Sequence, residues 1–229
     1  MEMSWFGEAC VRLRAREGTV AADAYRSALG PTGRGLTADI VTYSHPDNDL
    51  AGGGNGRKPS GNGKSPSSVI RPASLENAFV LEGPGEYEVH NVLVTGVRTF
   101  RDDARGAERG PNTSFVYELD GIHVAHLGDI GHLLTDEMIG ELGAIDVLCL
   151  PVGGSLAPAR AAELIAQLDA KLVVPLPLGG ELPGTDSAME KFLHEMGAQS
   201  PEPQPKLSVT ISALPQETTL VLLESRPRA

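Results

Sequence analysis

The stretch TSFVYELDGIHVAHLGDIGHLLTDEMIGELGAIDVLCLP, residues 113–151, decides how this chain folds. It opens with two apolar runs, 113–119 and 121–127, on either side of Asp120-Gly121. An Asp-Gly pair between such runs favours the tight turn whose central residues take positive φ, so the runs read as a hairpin. The character then changes. Thr135 to Leu142 has a capping threonine and an acidic start, the opening of a helix, and Ile145 to Pro151 reads as the strand that follows it. An antiparallel meander hands over to β-α alternation at this point.

Upstream, the meander extends back to the start of the chain. Residues 2–6, 10–16 (Val11, Leu13 and Ala15 alternating with Arg12, Arg14 and Arg16) and 19–23 read as consecutive antiparallel strands. Asp39 to Ser44 is a fourth, buried one, and 78–82, 86–89 and 91–100 continue the series between Gly-Pro-Gly and Asn turn signals. Downstream, the alternation continues. Ala157 to Leu168 is an Ala-rich amphipathic helix, Lys171 to Leu176 a buried strand, and Asp186 to Met196 a helix with Gly197 just past its end. Residues 207–211 and 218–224 close the set. The pattern predicts two sheets facing each other with helices outside, as one domain over 1–229. Residues 52–67 (GGGNGRKPSGNGKSPS) hold six Gly, two Pro and no hydrophobic residue, which predicts a flexible loop. Its Gly-Lys-Ser lacks the spacing and the following helix of a phosphate loop.

Composition narrows the function. Of 229 residues, 41% are hydrophobic and 21% charged, the balance of a globular protein. Asp plus Glu number 30 against 19 Lys plus Arg, a formal charge of −11. That argues against binding nucleic acid or an anionic membrane, both of which need a basic face. No run reaches the roughly 18 apolar residues of a membrane span, and MEMSWFGEAC is not a secretory signal. Cys10 and Cys149 lie inside apolar runs, as reduced core thiols of a cytoplasmic protein would.

Several segments together resemble the metallo-β-lactamase superfamily, in particular its small bacterial branch near ascorbate-phosphate lactonases and metal-dependent hydrolases. They are MSWFGEACVRLR at 3–14, Gly83-Pro84-Gly85-Glu86-Tyr87-Glu88-Val89, Thr95-Gly96-Val97, Gly110-Pro111-Asn112-Thr113, His126-Leu127-Gly128-Asp129-Ile130-Gly131-His132 and Pro151-Val152-Gly153-Gly154. The resemblance implies an α/β (α+β) fold, a four-layer αββα sandwich, with one or two divalent metals at one edge between the sheets. Such an ion lowers the pKa of a bound water and polarises the substrate.

The ligand positions that the resemblance implies are only partly filled. A His-x-His-x-Asp-His loop is expected after the strand DIVTYS, and the chain reads His45-Pro46-Asp47-Asn48-Asp49-Leu50. The next ligand histidine is replaced by Arg101, within Thr99-Phe100-Arg101-Asp102-Asp103. The bridging Asp129 is kept, the last histidine position is Pro177, and Glu8 stands where many relatives have histidine. His45, Asp49 and Asp129 therefore match, whereas Asp47, Leu50, Arg101 and Pro177 do not. A guanidinium offers five donors in a fork suited to carboxylates, so Arg101 is expected to pair with Asp129 and Asp49, taking over the charge balance of the ions.

Other candidates have plainer roles. His126 and His132 are expected to be structural, His90, His123 and His194 to lie on the surface, and Glu86 to fix a turn. Ser155 has no nucleophile-elbow context. The degenerate pocket His45, Asp47, Asp49, Leu50, Arg101, Asp129 and Pro177 leaves three readings. The first is a pseudo-hydrolase without catalytic residues, metal or cofactor, serving a structural, partner-binding or ligand-sensing role. The second is a divergent phosphoesterase or lactonase holding manganese or zinc through His45, Asp47, Asp49 and Asp129. The third is a metal-free binder of a small anion anchored by Arg101. Self-association or a protein partner is compatible with each.

Overall fold

The computed structural model describes residues 1–46, 69–178 and 187–226. The loop expected over 52–67 lies outside the described residues, as do Asp47, Asn48, Asp49 and Leu50.

The alternating runs at the start form β1 (Glu2–Gly7), β2 (Cys10–Arg14) and β3 (Thr19–Ala22), paired antiparallel as expected. β4 (Ile40–Thr42) and β5 (Phe79–Leu81) then join parallel, which corrects the expectation of an unbroken meander. The reason is the length of the connections. Parallel neighbours need a crossover of a dozen or more residues. Between β3 and β4 the chain makes α1 (Arg26–Leu29) and a 3₁₀ turn at Gly33–Gly35, elements that the sequence pattern does not announce.

The second sheet carries out the handover read from 113–151. β6 (Gly85–Val89), β7 (Val92–Phe100), β8 (Pro111–Leu119) and β9 (Ile122–His126) are an antiparallel meander. Asp120 and Gly121 have φ of 52° and 72°, as the hairpin signal requires. α2 (Asp136–Leu142), capped by the Thr135 side chain, leads to β10 (Val147–Val152), which is parallel to β9. α3 (Pro158–Leu168), β11 (Leu172–Pro177) and α4 (Ala188–Glu195) repeat the pattern. The closing strands shrink to β12 (Leu207–Ser208), on the free edge of β1, and β13 (Thr219–Leu220), beside β11. The sheets thus run β12-β1-β2-β3-β4-β5 and β13-β11-β10-β9-β8-β7-β6.

Their inner faces meet in one apolar layer that includes Trp5, Leu13, Phe115, Tyr117 and Val174. α2, α3 and α4 cover the outside of the seven-stranded sheet through residues such as Leu142, Leu164, Ile165 and Phe192. The outside of the six-stranded sheet is covered by the α1 segment and the 69–78 stretch, through Tyr25, Leu29, Leu36 and Leu75. Cys10 and Cys149 are free thiols in these layers. None of the described helices is long and apolar enough to cross a membrane.

Candidate functional site

The segments that follow β4, β7, β9, β10 and β11 converge on one cavity of about 450 Å³, lined among others by Tyr25, His45, Arg101, Arg109, Asp129 and Leu178. Each polar residue is held there by a separate device.

His45 follows β4 and is fixed from below by a buried carboxylate. Asp23, 1% exposed, accepts the Ser44 N–H at 2.8 Å and the Ser44 hydroxyl at 2.7 Å. The one hydroxyl proton of Ser44 is thereby used, so His45 Nδ1, 2.8 Å from Ser44 Oγ, is the donor of that pair. A neutral imidazole in this arrangement carries its lone pair on Nε2. Tyr25 clamps the main chain: its hydroxyl donates to the His45 carbonyl at 2.7 Å and accepts the His45 N–H at 3.1 Å. Burial raises the phenol's pKa well above its ordinary value, so it stays a neutral donor.

Asp129 sits in the loop after β9. Its N–H donates to Asn112 Oδ1 at 3.0 Å, and Asn112 Nδ2 donates to the Leu127 carbonyl and to Thr99 Oγ1. Gly128 has φ of 63°, and a Cβ there would run into Ser44 and Asn112. That glycine lets the loop lie directly on the strands below it.

Arg101 follows β7 and meets Asp129 with two donors. Nε and Nη2 donate to Asp129 Oδ2 at 2.9 and 2.7 Å, while Asp129 Oδ1 takes the Ser155 N–H at 2.9 Å. Arg101 and Asp129 are each 8% exposed, so the pair is largely removed from water. Arg101 Nη1 donates to the Arg109 carbonyl at 3.2 Å. A guanidinium and a carboxylate, each bonded on more than one side, form the strong, charge-assisted kind of contact. The expected partnership of Arg101 with Asp129 is therefore present. Its expected second partner, Asp49, lies outside the described residues.

The 101–110 loop winds around Asp102. This buried carboxylate accepts the N–H groups of Ala104, Gly106, Glu108 and Arg109 at 2.9, 2.7, 3.1 and 2.6 Å. Burial by itself would raise the Asp102 pKa, but the four donors outweigh it and hold the carboxyl below its ordinary range. Gly106 and Gly110 take φ of 82° and 95° in this turn, and strand and helix patterning does not pick it out. Asp23, Tyr25, Ser44, Asn112 and Arg109 are likewise residues that pattern reading misses.

His126 and His132 are structural, as expected. His126 Nε2 lies 2.8 Å from the Ala9 carbonyl and Nδ1 accepts the Gly128 N–H. His132 Nε2 accepts the Phe100 N–H at 3.0 Å, tying the end of β7 to the Asp129 loop. His90 and His194 are exposed and His123 is partly so. Pro177 is buried as the last residue of β11, with Leu178 beyond it on the cavity wall. Glu8 also lines the cavity. One expectation fails: Glu86 is exposed on β6, and the Gly-Pro-Gly turn is tied instead by the Tyr87 hydroxyl, bonded to the Gly83 and Pro84 carbonyls. An alternating strand points Glu86 and Tyr87 to opposite faces, and the turn lies on the tyrosine side.

A matching family model, the β-lactamase superfamily domain, covers residues 2–177. The chain belongs to the metallo-β-lactamase superfamily. A superfamily structure from Thermotoga maritima is 30% identical, covers 98% of this chain and 99% of its own, and has a TM-score of 0.69. Metal-dependent hydrolases of Rubrobacter xylanophilus and Methanoregula boonei are 31% identical over 58% of this chain and 28% identical over 67% of it. The matches span 60% and 70% of the lengths of those two relatives.

Superfamily membership implies a divalent metal, and the donor set can be tested for it. Among the described residues, no group of three or more His, Cys, Asp and Glu side chains is placed to hold an ion. His45 presents a suitable nitrogen, but Asp129 Oδ2 is taken by two N–H groups of Arg101. As placed, the described residues do not fit a divalent ion.

Proposed function

We propose that this chain is a non-catalytic member of the metallo-β-lactamase superfamily, a pseudo-hydrolase whose pocket binds a ligand or partner without metal. One observation carries the reading: Arg101 places two N–H groups on the same oxygen of Asp129. Two unit charges about 4 Å apart interact by about 4 kcal/mol at an effective dielectric near 20. A dication held by Asp129 would feel about twice that as repulsion from Arg101. Zinc also prefers nitrogen and sulfur donors, and His45 is the one imidazole the described pocket lining supplies. The free, buried thiols Cys10 and Cys149 suit a reducing, cytoplasmic setting.

A second reading is favoured by the relatives named metal-dependent hydrolases. In it His45, Asp47, Asp49 and Asp129 hold manganese or zinc and act on a phosphoester or lactone. Elemental analysis of protein purified without chelators separates the two. The pseudo-hydrolase reading expects far less than one manganese or zinc per chain and an unchanged melting temperature when either ion is added in excess. One metal per chain, or a stabilisation of the size that mass action gives a specific site, about 2.7 kcal/mol at a hundred times Kd, overturns it.

A further inference from the structure

Arg109 differs from Arg101 in how it is held. Its main chain is pinned on both sides, the N–H to Asp102 at 2.6 Å and the carbonyl to Arg101 Nη1 at 3.2 Å. Its guanidinium has far more freedom: the side chain is 49% exposed, and among the described residues the carboxylate oxygen near it is Asp129 Oδ2, 3.7 Å away. That is beyond hydrogen-bond reach, and the same oxygen already takes two bonds from Arg101. Arg101 and Asp129 cancel one another, so Arg109 brings to the cavity a planar fork of donors that, among the described residues, no carboxylate hydrogen-bonds.

The same cavity also has apolar lining. Ala9, Ala28, Pro151 and Leu178 line the same 450 Å³ cavity, a volume within the ordinary range for small organic ligands. A half-exposed guanidinium and short aliphatic side chains on one lining suit an amphipathic acid: a carboxylate on the fork, an aliphatic or small aromatic body against the apolar groups. Charge selects further. With Arg101 set against Asp129, Arg109 is the remaining guanidinium on the described lining, and one positive charge balances a monoanion better than a dianion.

From this arrangement we infer that the cavity is a receptor for a small monocarboxylate, with Arg109 as the group that grips its carboxylate and Asp102 as the residue that positions Arg109. The inference rests on the metal-free reading above, because an ion on Asp129 would itself attract the anion. It differs from the anchor expected from sequence: Arg101 is committed to Asp129 and the Arg109 carbonyl, and the binding role falls to its neighbour in the loop.

The test is calorimetric titration of one metal-analysed preparation with butyrate, benzoate and inorganic phosphate, on wild type and on Arg109→Gln. Arg109→Gln alters a half-exposed side chain whose main-chain bonds stay in place, so the fold is expected to survive, as a melting curve will confirm. Expected results are saturable binding of butyrate or benzoate, weaker binding of phosphate, and a tenfold or larger loss of carboxylate affinity in Arg109→Gln, the scale of a lost charge-assisted contact. Equal affinity in wild type and variant, phosphate binding tighter than both carboxylates, or no binding at millimolar concentration overturns the inference. Stoichiometric manganese or zinc in the sample overturns the metal-free reading instead, and elemental analysis reports that separately.

Discussion

Arg101 and Asp129 meet through two guanidinium N–H groups on a single carboxylate oxygen, at 2.9 and 2.7 Å, while the other oxygen is held by the Ser155 main chain. The pair joins the loop after β7 to the loop after β9, and both members are nearly buried. Removing one partner leaves the other as an uncompensated charge away from water, a change that costs about 3–5 kcal/mol in comparable buried pairs. Arg101→Ala and Asp129→Ala are each expected to lower unfolding free energy by about 3 kcal/mol. The double variant should cost clearly less than the sum, since no charge is then stranded. Urea denaturation of the four proteins measures this. Additive losses would show that the two side chains do not interact.

Asp102 acts through the protein main chain. Its carboxylate collects four N–H groups and its pKa is lowered by them. A carboxyl with a depressed folded-state pKa stabilises the fold above its unfolded pKa, near 3.9, and loses that contribution as pH falls through the folded value. Asp102→Asn, which keeps one acceptor oxygen, is therefore expected to be less stable than wild type at pH 7, with the gap closing as pH falls below about 4. Stability measured for both proteins from about pH 7 to about pH 2.5 checks the sign. A gap that widens toward acid would refute it. The variant should also show faster amide exchange at one of the two pairs that share an oxygen, Ala104 and Gly106 or Glu108 and Arg109, whichever faces the new amide nitrogen.

Gly128 is required twice, by its φ of 63° and by the absence of room for a Cβ against Ser44 and Asn112. Gly128→Ala is expected to cost more than the roughly 1 kcal/mol typical of a strained backbone alone, because Ser44 and Asn112 hold His45 and Asp129 in place. Gly140, exposed on α2 where an added Cβ would meet nothing within 4 Å, is the control. Gly140→Ala should be neutral or stabilising, as alanine is the better helix former. Thermal unfolding of both variants decides the point, and similar melting temperatures would count against the crowding at Gly128.

Strand order along the chain was legible because side-chain alternation, the Asp120-Gly121 turn and the Thr135 cap are local signals. The parallel joining of β4 and β5 was not, because nothing within Ile40–Thr42 or Phe79–Leu81 specifies the direction of its neighbour; the long connections do. At the site, Arg101 and Asp129 could be matched in advance by opposite charge and their placement in recognisable motifs. The roles of Asp102 and Arg109 depend on which main-chain groups the loop turns inward, and the residue types alone leave that unspecified. Asp23 and Ser44 are 21 positions apart and meet through the β3–β4 pairing, a contact invisible to any short window.

The two cysteines allow a check on the layered core itself. Cys10 lies under the α1 segment on the outside of the six-stranded sheet, and Cys149 lies between the sheets; both are fully buried. Burial pushes Cys149 to a pKa of about 12. It raises Cys10 as well, with the nearby Asp23 charge adding to the effect. Thiolate is the reactive form, so at about pH 8 each sulfur is both shielded and almost wholly protonated. Native protein is expected to show no reaction with a disulfide-exchange reagent such as dithionitrobenzoate over minutes, and two thiols per chain once guanidinium unfolds it. The two positions report on different layers, so single Cys→Ala variants assign any native reactivity. Prompt labelling of the remaining Cys149 would mean that the sheets open at that point. Prompt labelling of the remaining Cys10 would mean that the α1 cover lifts while the sandwich stays closed.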